Sequence, residues 1–248
     1  MKITSVNNEL VKDTAKLLKG KYRDELGLFL IEGEKGVQEA LQAGIIIERI
    51  FVLEGTNSFK HENLIETTEA VLSKISDAKS APKVVAVAKQ PQYKANDFNN
   101  YKQVVLLEGI KDAGNLGTIL RTAAAFGIDG IVLYGDTVDL YNPKCVRSTV
   151  GCLWKIPVIK IEKLEELKNI FTPFERIATL PKGMNVTPLN NYIPAPKVLI
   201  MFGSEADGLS QELKNYATKN VTIEMSENVE SLNLSVSAAV VMYKIMGK

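Results

Sequence analysis

Three polar stretches between residues 108 and 241 carry side chains that could take part in chemistry. The first, EGIKDAGNLGTILRTAAAFG (108–127), contains Asn115 and Arg121. The planar guanidinium of Arg121 has small residues on its side of the predicted helix, so it can bind a phosphate or reach across an open cleft. Asn115 can both donate and accept hydrogen bonds. A surface arginine on an ordinary helix is the alternative interpretation of this stretch alone.

The second stretch supplies an acid between glycines. FGSEADGLS (202–210) follows a strongly apolar run and holds Glu205 between Gly203 and Gly208. Glycine at the end of a strand allows a ligand to approach the backbone closely. Glu205 could pair with an arginine or orient a polar group of a ligand. The alternative is a glycine-rich turn without a ligand.

The third stretch is a polar cluster ahead of the last helix. IEMSENVESLNLSVSAAVV (223–241) places Ser231, Asn233 and Ser235 before an apolar run. Helix capping needs only one such side chain. Ser231 and Asn233 are therefore candidates for binding a substrate, and the alternative is that they only cap the helix.

The elements that must position these stretches alternate between strands and helices. Apolar runs predict strands at 104–110, 130–135, 155–161, 176–180, 197–203 and 221–225. Helices are predicted at 117–127, 143–151, 162–169, 210–217 and 235–246. Near-continuous apolar strands separated by helices predict an α/β fold with a mostly parallel sheet covered on both faces. Ligands of such sheets bind beyond the carboxyl ends of the strands, where the three polar stretches lie.

The first third of the chain shows a separate alternation of helices and strands. Helical patterns span 8–20, 33–44 and 67–76, and strand patterns span 26–33, 49–55 and 83–90. The asparagine-rich stretch PQYKANDFNNYKQ (91–103) has few aliphatic residues and marks a boundary. We place one domain at 1–95, a linker at 96–103 and a second domain at 104–248.

Composition and charge narrow the classes of function. The 248 residues are 46% hydrophobic and 24% charged, with a formal net charge of +1, and these are ordinary globular values. Nucleic-acid binding would therefore need a local basic patch. Residues 1–23 contain such a patch, with six cations (Lys2, Lys12, Lys16, Lys19, Lys21 and Arg23) against two carboxylates. A solvated helix face is the alternative.

Several mechanisms lack the residues that they need. Cys145 and Cys152 form no CxxC pair, and the single histidine, His61, lies in a polar stretch, so we expect neither a metal site nor Ser-His or Cys-His catalysis. The glycine fingerprints for dinucleotides and nucleoside triphosphates are absent. No apolar run reaches the roughly 18 residues of a membrane span, and the N-terminus lacks a signal-peptide core. We expect a cytoplasmic protein.

The order and spacing of the three stretches resemble the SpoU (TrmH) family of RNA ribose 2′-O-methyltransferases, in the SPOUT superfamily. The matching blocks are GNLGTILRTAAAFG, MFGSEADGLS and IEMSENVESLNLSVSAAVVMY, within residues 104–243. FLIEGEKGVQEALQAGIIIERIFV, near the N-terminus, is similar to the L7Ae-like substrate-binding domain that often precedes this catalytic domain. The resemblance implies a smaller α/β domain followed by an α/β catalytic domain with a deep C-terminal trefoil knot. It also implies S-adenosylmethionine as cofactor and a homodimer formed through the C-terminal domain.

The resemblance further implies roles for individual residues. The catalytic set is Arg121, Asn115, Glu205, Ser231 and Asn233. The cofactor-binding set is Gly203, Ile223 and Leu232, with Leu180, Met225 and Leu234 as neighbours. Arg121 is expected to assist deprotonation of the target hydroxyl, as a base or by stabilising the alkoxide, while the other four orient the hydroxyl and the ribose. In this interpretation Ser235 caps the last helix, and Ser231 and Asn233 are free for the substrate.

The function implied is methylation of structured RNA. We expect ribosomal RNA rather than transfer RNA, because the N-terminal extension supplies a separate RNA-holding module. Its expected phosphate contacts are Lys12, Lys16, Lys19, Lys21 and Arg23. A transfer-RNA ribose methyltransferase and a non-catalytic RNA-binding or ribosome-assembly protein on the same fold are the alternatives. A nucleotide-dependent oxidoreductase fits the α/β pattern but lacks the glycine fingerprint.

Overall fold

The chain forms two compact units in the computed structural model, which describes residues 1–183 and 185–246. The first unit combines Met1–Gln92 with Asp139–Lys155, and the second combines Tyr93–Val138 with Ile156–Lys248. The predicted contiguous domains do not anticipate that Asp139–Lys155, from the later part of the chain, packs with the first unit.

The first unit is built on a mixed five-stranded sheet. Its strands are β1 (Lys2–Ile3), β2 (Leu28–Glu32), β3 (Ile47–Leu53), β4 (Leu64–Thr67) and β5 (Val84–Lys89), and its first four helices are α1 (Glu9–Lys16), α2 (Gly20–Leu26), α3 (Glu34–Gln42) and α4 (Glu69–Lys74). The strand order is β1-β4-β3-β5-β2, with β5 antiparallel to both of its neighbours. β1 was not predicted because two residues are too short to show a periodic pattern.

The remaining elements follow in chain order. The strands are β6 (Gln103–Glu108), β7 (Gly130–Tyr134), β8 (Val158–Ile161), β9 (Glu175–Thr179), β10 (Thr187–Pro188), β11 (Val198–Phe202) and β12 (Lys219–Thr222). The helices are α5 (Ala113–Phe126), α6 (Pro143–Ser148), α7 (Leu164–Phe171), α8 (Gln211–Tyr216) and α9 (Leu234–Ile245). Short 3-10 helices lie at Ala95–Asn100, Leu153–Lys155 and Leu189–Asn191.

The second unit contains a seven-stranded sheet in the order β10-β12-β9-β11-β6-β7-β8. Every pair of neighbouring strands is parallel, which confirms the predicted sheet. All side chains from Val104 to Leu107 in the inner strand β6 are buried. Because successive side chains of a strand point to opposite faces, both faces of β6 are covered.

Helix α5 begins four residues earlier than predicted. The Asp112 side chain accepts a hydrogen bond from the Asn115 backbone N–H at 2.8 Å and caps the helix. Gly114 and Gly117 therefore lie within the helix and not in the turn before it. Asn115 consequently stands in the first turn of α5, close to the carboxyl end of β6.

The predicted linker contains packed structure. Phe98, in the 3-10 helix Ala95–Asn100, is fully buried in the core of the second unit. Its ring lies 4.8 Å from that of Tyr101 and 6.4 Å from that of Phe171, measured between centroids. An aromatic anchor of this kind makes the stretch part of the second unit rather than a free connection.

Ionic contacts join Asp139–Lys155 to the rest of the first unit. The buried Arg23 donates to Asp139 at 2.6 Å, and Arg147 pairs with the buried carboxylate of Glu32. Lys155 pairs with Glu39 at 2.8 Å near the end of the segment. No helix within the described ranges is long and apolar enough to cross a membrane.

Candidate functional site

The loop after β11 presents Glu205 from a tight turn. The backbone groups of Ser204 and Gly208 exchange two hydrogen bonds of 3.1 and 3.2 Å across the turn. The Ser204 hydroxyl oxygen accepts from the Asp207 backbone N–H at 3.0 Å, and Gly208 adopts a left-handed φ of 66°. The sequence SEADG therefore closes on itself and fixes the backbone from which Glu205 projects.

Gly203 is required by this turn. A Cβ at position 203 would lie 1.9 Å from the carbonyl carbon of Gly208 and 2.1 Å from the backbone nitrogen of Leu209. Backbone atoms cannot withdraw from such a contact without opening the turn. The turn therefore explains the glycine at position 203 without reference to any ligand.

Glu205 lies at the N-terminal end of α5 as a hydrogen-bond acceptor. Its carboxylate accepts from Asn115 Nδ2 at 2.9 Å, and the Lys111 backbone N–H lies 3.5 Å away. Burial would raise the pKa of Glu205, but the hydrogen bonds from Asn115 and from the backbone N–H groups of Glu205, Lys111 and Asp112 together hold that pKa below its usual value. Glu205 is therefore a carboxylate at neutral pH.

Asn233 joins the same network and also caps α9. Its Oδ1 accepts from the backbone N–H groups of Ser235 at 2.9 Å and Val236 at 3.4 Å. Its Nδ2 donates to Asn115 Oδ1 at 3.1 Å. The expectation that Ser235 is the cap and that Asn233 is free is wrong, because Asn233 uses different atoms of one amide for the two tasks.

The structure thus joins three predicted catalytic residues in one directional chain of hydrogen bonds. The Asn233 amide donates to Asn115, and the Asn115 amide donates to the Glu205 carboxylate. These residues come from three separate stretches of sequence. Their meeting point is the carboxyl edge of the parallel sheet, which is where the topology favours a ligand.

Arg121 and Ser231 are outside this chain of hydrogen bonds. Arg121 is exposed on α5, six residues after Asn115, a rise of about 9 Å along the helix. Ser231 is exposed ahead of α9. In the part of the chain that the structure describes, neither side chain has a hydrogen-bond or ion-pair partner. Both are free to meet a group from outside the chain.

The predicted cofactor residues follow three adjacent strands. Leu180 comes directly after β9, Gly203 after β11 and Ile223 after β12, and these strands are neighbours in the order β12-β9-β11. The Leu180 backbone N–H donates to the Val221 carbonyl at 2.9 Å. Three of the six residues therefore lie at one edge of the sheet.

The other three lie on the segment that leads into α9. Met225 and Leu234 are half-buried, and the Leu232 side chain is 36% exposed. At the end of β12, the hydroxyl oxygen of Thr222 is buried without a hydrogen-bond partner among the residues described. This edge therefore offers apolar side chains together with a polar atom that the described residues leave unsatisfied.

A cavity of the second unit lies beside Glu205. It measures about 720 Å³ and is bounded by the loops after β6, β7 and β11. Lys111 Nζ donates to the Asp136 carboxylate at 2.6 Å across two of these loops. None of the six predicted cofactor residues lines this cavity.

Lys111, Asp112 and Asp136 are residues of the site that sequence reasoning missed. Asp112 carried a local signal, because an aspartate three residues before Asn115 is a typical helix cap. The contact of Lys111 with Asp136 joins positions 25 residues apart and has no local pattern.

One of the predicted RNA contacts is wrong. Arg23 is 2% exposed, and its guanidinium is held by Asp139 and by the Leu17 carbonyl, so it cannot reach a phosphate. Lys12, Lys16, Lys19 and Lys21 are exposed on the first unit. Lys12 and Lys16 pair with nearby carboxylates on the surface of α1.

Known proteins match nearly the whole chain. Residues 102–243 match the SpoU rRNA Methylase family, and residues 8–86 match the MRM3-like substrate binding domain. The 23S rRNA (guanosine(2553)-2′-O)-methyltransferase RlmP of Bacillus subtilis (strain 168) is 30% identical over 258 residues, which cover 99% of each chain.

Two crystal structures have the same fold over nearly their full length. An AdoMet-bound rRNA methyltransferase from Sinorhizobium meliloti matches with a TM-score of 0.89 and 28% identity, over 98% of this chain and 96% of that one. An RNA 2′-O ribose methyltransferase matches with a TM-score of 0.80 and 32% identity, over 98% and 97%. The family match spans the entire seven-stranded sheet and every residue of the hydrogen-bonded chain from Asn233 to Glu205, and the protein therefore belongs to the SpoU rRNA methylase family.

Proposed function

We propose that this protein transfers the methyl group of S-adenosylmethionine to a ribose 2′-hydroxyl of structured RNA, with ribosomal RNA favoured over transfer RNA. The observation that carries the proposal is the hydrogen-bonded chain from Asn233 through Asn115 to Glu205 at the carboxyl edge of the parallel sheet. The full-length likeness to a 23S rRNA 2′-O-methyltransferase supports both the reaction and the preference for ribosomal RNA.

The residues fit the needs of this reaction. A ribose hydroxyl is a weak acid, so the site must align its oxygen with the methyl carbon and stabilise the negative charge that develops there. Glu205 is a carboxylate held by Asn115, so it can accept a hydrogen bond from a ribose hydroxyl and orient the sugar. Ser231 and the remaining donor of Asn233 would hold the ribose from the other side.

Arg121 is proposed to stabilise the reacting oxygen. Its guanidinium is exposed and has no partner among the described residues, so all of its donors are available to the hydroxyl or to the adjacent phosphate. Because a guanidinium stays protonated in proteins, we assign it the role of stabilising the negative charge on the oxygen. The hydroxyl proton is released to solvent water as the oxygen–methyl bond forms and the sulfur–methyl bond breaks.

The proposed cofactor site is the edge formed by Leu180, Gly203 and Ile223, together with Met225, Leu232 and Leu234. The apolar side chains suit an adenine ring, and the unsatisfied Thr222 hydroxyl suits a polar group of the ligand. Bound S-adenosylmethionine would supply a methyl carbon activated by its sulfonium.

The path of the last segment supports the proposed trefoil knot. In the sheet, β12 and β9 lie on one side of β11, and β6 lies on the other side. The element after β12 is α9, and it packs against α5, the helix that follows β6. Between Thr222 and Leu234 the chain must therefore cross back past two strands at their carboxyl ends. We propose that it passes through the loop after β11. A segment lying outside that loop in an experimental structure would overturn the knot.

The first unit is proposed to be an L7Ae-like domain that holds the RNA substrate. Replacing Lys12, Lys16, Lys19 and Lys21 together by alanine should weaken RNA binding and flatten its salt dependence by up to about 3 in log–log slope. The fold should tolerate this change because all four side chains are exposed and surface ion pairs contribute little. Filter binding at several salt concentrations measures the effect.

The matched control removes the same charge elsewhere on the first unit. Lys60, Lys74, Lys79 and Lys83 are also exposed, and their joint replacement should leave both affinity and slope nearly unchanged. Equal losses in the two quadruple variants would count against a specific role for the first 23 residues.

We also propose a homodimer through the C-terminal helices. Val236, Val240 and Tyr243 are 47%, 39% and 53% exposed, and their spacing puts them on one face of α9. The opposite face of α9 is buried, and Tyr243 packs on Phe126 of α5 with ring centroids 5.7 Å apart. An exposed apolar stripe of this kind is typical of a surface that meets a partner.

Disrupting this stripe should give monomers. The chain has a mass of 27.3 kDa, and light scattering should give about twice that value for the wild type. Val240→Asp should give a single-chain mass, since a carboxylate cannot be buried unpaired at an interface. Ile46→Asp, at a residue 62% exposed on the first unit, is the control and should remain dimeric. A monomeric wild type would overturn the dimer.

Methyl transfer itself tests the proposed function. When the purified protein is incubated with radiolabelled S-adenosylmethionine and ribosomal RNA, the RNA should become labelled. Alkaline hydrolysis should leave one phosphodiester bond next to the labelled nucleotide intact, as expected for a 2′-O-methyl group. Label in transfer RNA alone would favour the first alternative. Binding of RNA without any transfer would favour a non-catalytic RNA-binding protein. A ribosomal RNA substrate would also put the protein in the cytoplasm, where we propose that it acts.

A further inference from the structure

The hydroxyl of Ser235 belongs to the same hydrogen-bonded chain but is not needed to cap α9. We propose that Ser235 is a positioning residue for methyl transfer, which acts through Asn233 and Asn115 on Glu205. The inference rests on the proposed function of this site.

Ser235 supplies two donors to the same oxygen atom. Its Oγ donates to Asn233 Oδ1 at 2.6 Å, and its backbone N–H donates to that atom at 2.9 Å. The Val236 backbone N–H is a third donor at 3.4 Å. The two backbone groups would cap the helix whatever side chain stood at 235, so the hydroxyl exceeds what capping requires.

The hydroxyl strengthens the orientation of the Asn233 amide. With Oδ1 facing the N-terminus of α9, Nδ2 must face Asn115, where it donates to Oδ1 at 3.1 Å. Asn115 must then turn its own Nδ2 toward Glu205, to which it donates at 2.9 Å. Reversing either amide would set two donors against each other. The amide orientation that Ser235 favours at Asn233 therefore also determines the orientation of Asn115 toward the Glu205 carboxylate.

The transmitted effect is electronic as well as geometric. A carbonyl oxygen that accepts a hydrogen bond makes the nitrogen of the same amide a better donor, and such chains strengthen one another. Ser235, Asn233 and Asn115 are three successive donors that end on one carboxylate. Loss of the first member should therefore loosen Glu205 without removing any group that touches the substrate.

Kinetics of three variants test this role. Ser235→Ala should lower kcat about fivefold to tenfold, the loss expected for one neutral hydrogen bond, with KM for both substrates within about twofold of wild type. Ser235→Thr keeps the hydroxyl and should restore most of the rate. Ser237→Ala is the matched control, because its hydroxyl lies two residues further along α9 without a hydrogen bond to any described residue. It should have wild-type kcat.

A double-mutant cycle separates action through Asn233 from an independent role. In an Asn233→Ala background, Ser235→Ala should not lower the single-turnover rate of methyl transfer any further. An unchanged kcat in Ser235→Ala, an equal loss in Ser237→Ala, or a full additional loss in the double variant would each overturn the inference.

A readout without turnover distinguishes this inference from the proposed function. Side-chain amide resonances of Asn233 and Asn115 should shift in nitrogen-15 spectra of Ser235→Ala and stay in place in Ser237→Ala. A wild-type protein without methyl transfer would overturn the function, and the spectra would still decide the hydrogen-bonded chain. Normal wild-type transfer with no spectral change in Ser235→Ala would overturn the role of Ser235 alone.

Discussion

Replacing Arg121 by alanine is expected to lower methyl transfer by at least about 100-fold while leaving the melting temperature unchanged. Removing a single donor to a developing oxyanion costs about 100- to 1,000-fold in other enzymes, and Arg121 is the cation that we assign to the alkoxide. The fold should not suffer, because the side chain is exposed and makes no hydrogen bond or ion pair to any described residue. Single-turnover methylation and thermal melting measure the two quantities.

The Arg121→Lys variant shows which property of the guanidinium matters. Lysine keeps the positive charge but loses the planar pair of donors, so partial activity would point to charge and near-complete loss to bidentate contact. Free guanidinium ion added to Arg121→Ala should restore part of the rate. Near-wild-type turnover in Arg121→Ala would remove this residue from the mechanism.

Replacing Gly203 by alanine should abolish activity and also destabilise the protein. The added Cβ would lie 1.9 Å from the Gly208 carbonyl carbon, a distance that only a shift of the backbone can relieve. Opening the turn from Ser204 to Gly208 would move Glu205 away from Asn115. We expect a loss of more than about 100-fold in methyl transfer and a destabilisation of about 2–3 kcal/mol.

The control is a glycine whose added Cβ has room. At Gly20 in α2, a Cβ would make only ordinary contacts, 3.5 Å from Arg23 and 3.6 Å from Asp139. Gly20→Ala should melt and react like the wild type. A stable, active Gly203→Ala would mean that the loop can rearrange without consequence for Glu205.

Periodicity predicted the parallel sheet because its strands are long and apolar, but it could not predict the shortest elements. β1 and β10 have two residues each and carry no repeating pattern. The sequence did not predict the 3-10 helix Ala95–Asn100, because it is anchored by a single aromatic residue, Phe98, in a polar stretch. Composition described that stretch correctly as polar, but the burial of one ring determined its structure.

The site was predictable in its residue types and less so in its connections. The sequence blocks predict Asn115, Glu205 and Asn233 as site residues. The hydrogen bonds between these residues depend on the tertiary fold, which brings distant segments together. Asn233 and Ser235 are both good capping residues, so sequence alone could not decide between them. Sequence could not show that one amide both caps α9 and continues the chain of hydrogen bonds.

The burial of Arg23 was unpredictable for a similar reason. Its partner, Asp139, lies 116 residues away, so the local sequence shows only another cation in a basic stretch. The five lysines of the same stretch are exposed, as a solvated patch requires.

The assignment of Asp139–Lys155 to the first unit has a consequence for biosynthesis. During synthesis, the N-terminal 92 residues leave the ribosome well before this segment does. The nascent unit therefore lacks the Asp139 carboxylate that accepts the hydrogen bond of the buried Arg23. Burying an arginine without its partner is costly. The first unit can therefore complete its fold only after residue 155 has left the ribosome, by which time β6, α5 and β7 have also emerged.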